Sequence, residues 1–205
     1  MRVLTMGIIL LLGMASTAAA QLGKQVVVQV GTPEDKQLSA IQAATNPHQK
    51  LALLDNFAAA HPTGDMALMA NNLYVSIYSS LKNYNKAYEF GNKALAIDPS
   101  NLTVAVELVR DAQLQGNTAK MVFYGVKVGQ MVTSYKVQPP PAGTAADEWA
   151  AKQQETLASI EPDVNWVVQA VDAAISNERS ASAKKAHMNE MAKAFPDSQG
   201  APQKQ

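Results

Sequence analysis

The chain lacks cysteine, carries no net charge and has few long β-branched runs, and each shortage argues against a class of protein. Without cysteine there is no disulfide framework, no thiolate metal site and no cysteine nucleophile. The 17 basic residues equal the 17 acidic ones, so charge gives no reason to expect nucleic acid or an anionic membrane surface as a partner. Long runs of Val, Ile and Thr are also scarce, while alanine is abundant, and this composition favours helices over strands.

The first twenty residues have the pattern of a secretory signal peptide. A short positive start precedes an apolar stretch of about 12 residues, and small residues then lead to an A-x-A site at Ala18 and Ala20. The apolar stretch is shorter than the roughly 20 residues of a membrane-spanning helix, although an uncleaved anchor is the alternative. We therefore expect cleavage after Ala20, no stable membrane insertion afterwards, and a periplasmic or secreted protein. The lack of disulfides favours a bacterial periplasm.

Changes in composition predict the organisation of the remaining chain. The only β-branched run, from Gln25 to Val30, is either a short extended arm or the linker that follows cleavage. Three consecutive prolines, Pro139–Pro141, exclude a helix and indicate an extended linker. The predicted organisation is an extended N-terminal segment at 21–31, helical repeats at 32–135, a proline-rich linker at 136–143, C-terminal helices or a degenerate repeat at 144–196, and a disordered tail at 197–205.

Capping residues and prolines predict where the helices begin and end. Thr32-Pro33 and Asn46-Pro47 each place a capping side chain before a proline at the first helical position. Residues 144–147 match a capping box, and helix breaks are predicted at Pro162 and Asn177. Apolar periodicity between these signals predicts further helices at about 65–81, 84–97, 102–114 and 118–134.

A period of 34 residues is visible in the middle of the chain. Identical or similar residues recur at this single offset across two predicted helix pairs, which is typical of stacked structural repeats. One helix pair cannot bury its apolar face alone, so successive pairs are expected to stack into a continuous core. The matching positions are Tyr74 and Leu108, Asn83 and Asn117, Phe90 and Tyr124, Gly91 and Gly125, and Lys93 and Lys127.

Residues 68–101 resemble a tetratricopeptide repeat, a 34-residue helix–turn–helix unit. Tyr78 occupies the usual tyrosine position of the first helix, and Asn83-Tyr84 stands at the turn, where the family favours a small polar residue and then tyrosine. Ala87 and Ala94 fill the small-residue positions that allow close helix approach. The ending ALAIDPSN is also close to that of the family.

Some positions depart from the family's pattern. Asn71 stands where tryptophan is typical and Gly91 where an aromatic residue is typical. Residues 102–134 keep the register but have Met121 and Val128 in the alanine positions. The resemblance implies an all-α fold, built as a short α-solenoid of antiparallel helix pairs with a C-terminal helical extension. A generic helical bundle is the alternative architecture.

No residue pattern indicates catalysis or a cofactor. His48, His61 and His187 lie in different segments, and none has a partner at metal-ligand spacing. The closest carboxylate pairs, at 147–148 and 161–163, each lie near a predicted helix start, where acids offset the helix dipole. Phosphate-binding glycine motifs and a G-x-S-x-G nucleophile motif are also missing. We therefore expect a protein without enzymatic activity, metal or cofactor.

Partner binding is the function that the repeat resemblance implies. In that family the first helices of successive repeats line a concave groove that holds peptides or helices of partner proteins. The corresponding positions here would form a mostly neutral groove with Arg110 as its single cation, in an adaptor or scaffold of the bacterial envelope. The predicted groove residues are Met69, Asn72, Ser76, Ser79, Thr103, Val106, Arg110 and Gln113.

Two other functions fit the same sequence. Short solenoids expose apolar end faces unless these are capped, so Leu/Val-rich helices near 105–132 could pair between copies in a self-associating structural protein, a homo-oligomer. Alternatively, helices at 145–194 could fold over the groove in an accessory subunit or small-ligand carrier. The plain interpretation of the predicted groove residues is a solvated helix face.

Overall fold

The computed structural model describes residues 22–196. Within this range the chain forms eight helices and no strand, which confirms the all-α class. The predicted signal peptide and the predicted C-terminal tail lie outside the described residues. The helices are α1 (Pro33–Ala43), α2 (Pro47–Ala60), α3 (Gly64–Ser80), α4 (Tyr84–Ile97), α5 (Leu102–Leu114), α6 (Thr118–Lys136), α7 (Ala146–Ser176) and α8 (Ala181–Ala194).

Side-chain caps fix the starts of most helices. The Thr32 hydroxyl accepts a hydrogen bond from the Asp35 N–H at 3.2 Å, and the Asn46 side chain accepts from the N–H groups of His48 and Gln49. Each cap satisfies backbone donors that the first turn of a helix leaves unpaired. The predicted starts of α1 and α2 are therefore confirmed. Asparagine caps recur at the starts of α4, α5 and α6, namely Asn83, Asn101 and Asn117.

The turns between α3 and α4 and between α5 and α6 have the same conformation, 34 residues apart. Lys82 and Gly116 both adopt a left-handed backbone, with φ of 57° and 63°. The N–H groups of Asn83 and Asn117 then each donate to the carbonyl five residues earlier, at 2.8 and 2.9 Å. The period of the sequence therefore reappears as a period of backbone geometry.

Glycines at equivalent positions allow each of two helices to approach the helix that follows it. At Gly91 of α4, an added Cβ would lie 2.6 Å from Cδ1 of Leu108 in α5. At Gly125 of α6, an added Cβ would lie 3.1 Å from Cγ2 of Val171 in α7. Gly91 leaves the space that the Leu108 side chain of the next helix occupies.

Two apolar clusters follow one another along the chain. The first joins α1, α2 and α3 around the fully buried side chains of Leu54 and Phe57. The second extends from α3 to α8 and contains Leu108, Val128 and Val171, which are also fully buried. Most helix contacts are made between elements that are close in the chain, so the core is built up in chain order.

The structure corrects the expected use of the Leu/Val-rich helices near 105–132. Most of their apolar side chains lie in the second cluster and cannot pair with another copy. Leu114 and Phe123 are the large apolar side chains in this range that stay exposed, at 71% and 53%. Two exposed side chains offer far less area than a stable interface buries.

The predicted break at Pro162 is wrong, since α7 continues through it as one helix of 31 residues. A proline inside a helix removes a backbone hydrogen bond and costs about 3 kcal/mol. Here Ile160 and Val164, on either side of the proline, pack against the second cluster and hold the two halves in line. Glu161 and Asp163 therefore lie in the middle of a helix and not near a helix start.

Contacts of Trp149, near the start of α7, hold the two ends of the proline-rich linker together. Trp149 is buried against Tyr135 of α6, and its Nε1–H donates to the Gln138 carbonyl at 2.9 Å. The predicted capping box does not form, because Ala145 is the N-cap residue and offers no capping oxygen. The predicted break near Asn177 is confirmed, and both α7 and α8 pack against α6.

Candidate partner-binding face

The eight predicted groove residues differ widely in exposure. Four of them are exposed: Ser76, Thr103, Arg110 and Gln113. Three are half-buried: Met69, Asn72 and Ser79. Val106 is 3% exposed and belongs to the second cluster, so its place in the groove is corrected. It faces the core because α5 packs against four helices, which leave only a narrow part of its surface uncovered.

Hydrogen bonds between α3 and α5 use two of the predicted groove side chains internally. Asn101 Nδ2 donates to Asn72 Oδ1 at 3.0 Å, and Ser79 Oγ donates to Asp111 Oδ2 at 2.7 Å. These bonds fix the two helices side by side. Ser76 lies between Asn72 and Ser79 at helical spacing and stays exposed on the same side of α3.

Arg110, the single cation of the predicted groove, is held by α7. Its Nη2 lies 3.1 Å from Asp163 Oδ1, and its guanidinium lies 5.0 Å from the centre of the Trp166 ring. Its Nη1 also lies 3.5 Å from Glu107 of the same helix. An exposed ion pair contributes about 0–1 kcal/mol, and a cation–π contact adds about as much. Arg110 therefore joins α5 to α7 and is not a free cation.

Helix α7 packs beside the exposed part of α5. A cavity of about 440 Å³ lies at its far end, between the α5–α6 turn and the last turns of α7. Gln113, Met121 and Asn177 are among the residues that line it, so polar and apolar groups meet there. We use the name α3–α5–α7 face for the surface that is formed by Ser76, Thr103, Arg110, Gln113 and Trp166.

A buried carboxylate, Asp111, lies behind this face. It is 1% exposed, and burial raises the pKa of its carboxyl group to about 6. The hydrogen bond from Ser79 opposes this rise in pKa, and the charge of Glu107 adds to it. A raised carboxyl pKa is typical of acid–base catalysts, but a substrate cannot contact a group that is this deeply buried. We therefore assign Asp111 to the packing of α3 on α5.

Residues 22–30, here named the arm, have no helical structure and lie across the ends of several helices. The Lys24 N–H donates to Oδ2 of Asp98, the C-cap residue of α4, at 2.6 Å. The Lys24 ammonium forms an ion pair with Asp65 at the start of α3. The arm is therefore attached to the start of α3 and to the end of α4.

The apolar side chains of the arm contact both clusters. Leu22 and Val26 pack against the second cluster, and Val28 packs against the first. Met69, a predicted groove residue, lines a cavity of about 370 Å³ together with Val26 and Val28. One edge of the predicted groove is thus occupied by the protein's own chain.

A different surface, on the outward sides of α4 and α6, carries lysines at the repeat spacing. Lys86 and Lys93 of α4 have counterparts 34 residues later, Lys120 and Lys127 of α6. Each ammonium lies 3.6 to 5.9 Å from the centre of an aromatic ring. Glu89, the only acid of these two helices, bonds to Lys86 and Lys93, which lower its pKa to about 2. We name the four lysines the lysine face.

Two of the three histidines lie at the ends of α2, and the third contacts a glutamate. His48 follows the start of α2 and His61 follows its end, as the sequence predicts, while His187 Nδ1 lies 2.9 Å from Glu178. Among residues 22–196, no group of three His, Cys, Asp or Glu side chains is placed to hold a metal ion. None of the helices in this range combines the length and the hydropathy needed to cross a bilayer.

Several residues that shape the site were not indicated by the sequence pattern. Asp163 and Trp166 follow Pro162, so the sequence placed them after a helix break and away from α5. Asp65 and Asp98 lie at helix ends, where acids are common and carry no further signal. The β-branched run from Gln25 to Val30 marked the arm, but Val27 is as apolar as Val26 and Val28, so the sequence did not show which valines would be buried.

Comparison with known proteins gave no match among the family models, the curated proteins or the solved structures.

Proposed function

We propose that the protein is an exported, non-catalytic module of the bacterial envelope that binds a partner protein at the α3–α5–α7 face. Its proposed architecture is a short solenoid of the tetratricopeptide type. The repeated left-handed turn at Lys82 and Gly116 supports this architecture, as does the repeated close approach at Gly91 and Gly125. In this family such helix pairs present a groove to partner segments.

One observation carries the binding role, namely the exposed polar strip on an otherwise buried helix. Thr103, Arg110 and Gln113 stay exposed on α5, although most of its other side chains are buried. Helices α3 and α7 both contact α5, so they border this strip on its two sides. A partner segment placed there can form hydrogen bonds with Thr103 and Gln113 and contact the Trp166 ring.

The contacts of the groove residues decide which positions can test this proposal. Arg110→Glu would place a carboxylate beside Asp163 and Glu107 and would loosen α7, and Asn72→Ala would remove a bond between α3 and α5. Loss of partner binding in these variants would therefore not distinguish a binding role from a packing role. Exposed positions without such bonds are the better choice.

A photo-crosslinking residue at Thr103 or Gln113, introduced in the native host, tests the face directly. We expect both positions to form a covalent adduct of the same mass, because one partner segment would cover both. The exposed positions Asn85 of α4 and Thr133 of α6, which lie outside the face, serve as controls. Adducts that form equally at the control positions, or at none of the four, would contradict the proposal.

Self-association is a second candidate, and the distribution of charge favours it. Helices α4 and α6 together contain five lysines and one acid, whereas α7 contains six acids and one lysine. A chain without net charge thus carries a basic and an acidic surface, and two copies can attract each other through them. In this proposal, attraction between charged surfaces holds two copies together, and not the pairing of apolar helices that the sequence suggested.

A further inference from the structure

The arm binds its site with alternate side chains. Val26 and Val28 pack against the clusters, whereas Val27 between them is 78% exposed. The alternation ends at Val28, because Val30, two residues later, is 73% exposed. This alternation is the pattern of a peptide that lies extended along a surface and inserts every second side chain.

The Asp98 carboxylate is oriented to accept a hydrogen bond from a backbone N–H of the arm. Its Oδ1 accepts hydrogen bonds from the Ser100 N–H at 3.0 Å and the Ser100 hydroxyl at 2.6 Å, and these fix the carboxylate. Its Oδ2 accepts the Lys24 N–H. Asp98 is 5% exposed, so the hydrogen bond lies in a desolvated environment. Because the donor is a backbone N–H, any extended segment can supply it, while Asp65 adds a preference for a lysine.

The arm fills this site incompletely. A cavity of about 460 Å³ lies at Leu22, and another of about 370 Å³ lies at Val26 and Val28. The inward side chains of the arm, Leu22, Val26 and Val28, are only half-buried. Both partners of the Lys24–Asp65 ion pair are about half-exposed. Such contacts are weak enough to be broken without unfolding the helices.

We propose that the surface beneath the arm is a binding site for an extended peptide segment of another protein, with the arm as its internal occupant. The segment it fits has a lysine followed by β-branched residues two and four positions later, the spacing of Lys24, Val26 and Val28. This inference goes beyond the proposed function, because the surface beneath the arm lies beside the α3–α5–α7 face and not on it. A partner segment of this kind displaces the arm, which competes at an effective concentration of about 1 mM.

Peptide binding to the full chain tests this competition. The probe is a fluorescent peptide with the sequence of residues 22–31, and fluorescence anisotropy measures its affinity. In Val26→Asp/Val28→Asp the arm loses its inward side chains, so we expect at least about tenfold tighter peptide binding than in the unchanged chain. Val27→Asp/Val30→Asp alters outward side chains by the same chemistry and should bind the peptide no better than the unchanged chain.

Exchanging the charges of Lys24 in the peptide and Asp65 in the chain tests whether the peptide binds where the arm lies. We expect a peptide carrying Lys24→Glu to bind the arm-weakened chain several-fold more weakly, and to regain affinity when that chain also carries Asp65→Lys. Circular dichroism checks that each variant keeps its helices. If the valine variant does not fold, Lys24→Glu in the arm of the full chain replaces it, with the unaltered peptide as probe.

The outcomes separate this inference from the proposed function. Equal peptide affinity in folded inward and outward variants, or no effect of the charge exchange, would overturn the arm site. Photo-crosslinking at Thr103 and Gln113 does not depend on the arm peptide, so its result applies to the α3–α5–α7 face alone. Tighter peptide binding in the inward variant, with the charge exchange restoring affinity, is the result we expect.

Discussion

Lys82 and Gly116 occupy the same left-handed turn position in successive helix pairs, with φ of 57° and 63°. A residue with a Cβ is strained in this conformation by about 1 kcal/mol, whereas glycine is not. We expect Lys82→Gly to raise the free energy of unfolding by about 1 kcal/mol and Gly116→Ala to lower it by about as much. Urea unfolding measures both changes. A loss of stability in Lys82→Gly would contradict the shared backbone requirement.

Asp111 makes the stability of the fold depend on pH. Burial raises the pKa of its carboxyl group from 3.8 to about 6, so between these values the folded state binds more protons than the unfolded state. Its contribution to stability therefore falls as pH rises from about 4 to 6. We expect Asp111→Asn to unfold at higher urea concentration than the unchanged chain at pH 8, by about 1–2 kcal/mol, with no such gain at pH 4.

Glu155→Gln is the matched control for this measurement. It removes one acidic charge from an exposed position of α7, and we expect it to change stability by less than about 0.5 kcal/mol at either pH. A gain in Asp111→Asn that is equal at pH 4 and pH 8 would show that the substitution acts through packing and not through ionisation.

At the scale of helices, the sequence predicts best where capping residues and period agree. The starts of α1 and α2 and the ranges of α3 to α6 follow from local signals, since Asn and Thr caps and apolar spacing act within one turn. Helix α7 could not be predicted in this way. Pro162 is a strong local signal for a break, but Ile160 and Val164 pack on a core that forms only in the folded chain.

The candidate site was less predictable than the helices. The helical spacing correctly placed Ser76, Thr103 and Gln113 at the surface. It could not show that Val106 faces the core, because the side of α5 that is covered depends on where α7 lies. The partners of Arg110 on α7 are 53 and 56 residues away in the chain, and contacts at such separation leave no pattern in one sequence.

The docking of α8 on α6 depends on a glycine. At Gly129, an added Cβ would lie 2.6 Å from the Ala194 carbonyl oxygen and 2.8 Å from its Cβ, and this backbone cannot move without moving α8. We expect Gly129→Ala to lower the free energy of unfolding by about 2 kcal/mol, although alanine favours the helix itself by about 1 kcal/mol. Hydrogen exchange in residues 181–194 should accelerate as α8 loosens.

Gly125→Ala is the control for this helix contact. Its added Cβ would meet side-chain atoms only, namely Val171 Cγ2 at 3.1 Å and the flexible end of Met191 in α8 at 3.4 Å, so the neighbours can adjust without moving a backbone. We expect a change in stability within about 1 kcal/mol and unchanged hydrogen exchange in α8. If the two glycine variants were equally stable, the close approach at Ala194 would not limit the packing of α8.

Over the whole molecule, charge is separated although its sum is zero. The lysine face lies on the outward sides of α4 and α6, and exposed acids, including Glu155 and Glu161, lie on α7. Attraction between such surfaces on two copies acts over about 10 Å at 0.1 M salt and weakens as salt is added. The proposed self-association would use these charged surfaces and leave the α3–α5–α7 face available to the proposed partner.

Self-association through charge predicts a salt-sensitive mass in solution. We expect light scattering at about 20 mM salt to give a mass above that of one chain, and at about 500 mM salt the mass of one chain.

Lys93→Glu/Lys127→Glu should abolish the low-salt assembly, because it reverses two charges of the lysine face. Lys36→Glu/Lys185→Glu makes the same change in net charge at exposed positions elsewhere and should leave it intact. Mixing the Lys93→Glu/Lys127→Glu chain with a Glu155→Lys/Glu161→Lys chain should restore assembly, since opposite charges then face each other again. A mass of one chain at low salt in the unchanged protein would refute self-association and leave partner binding as the remaining proposed function.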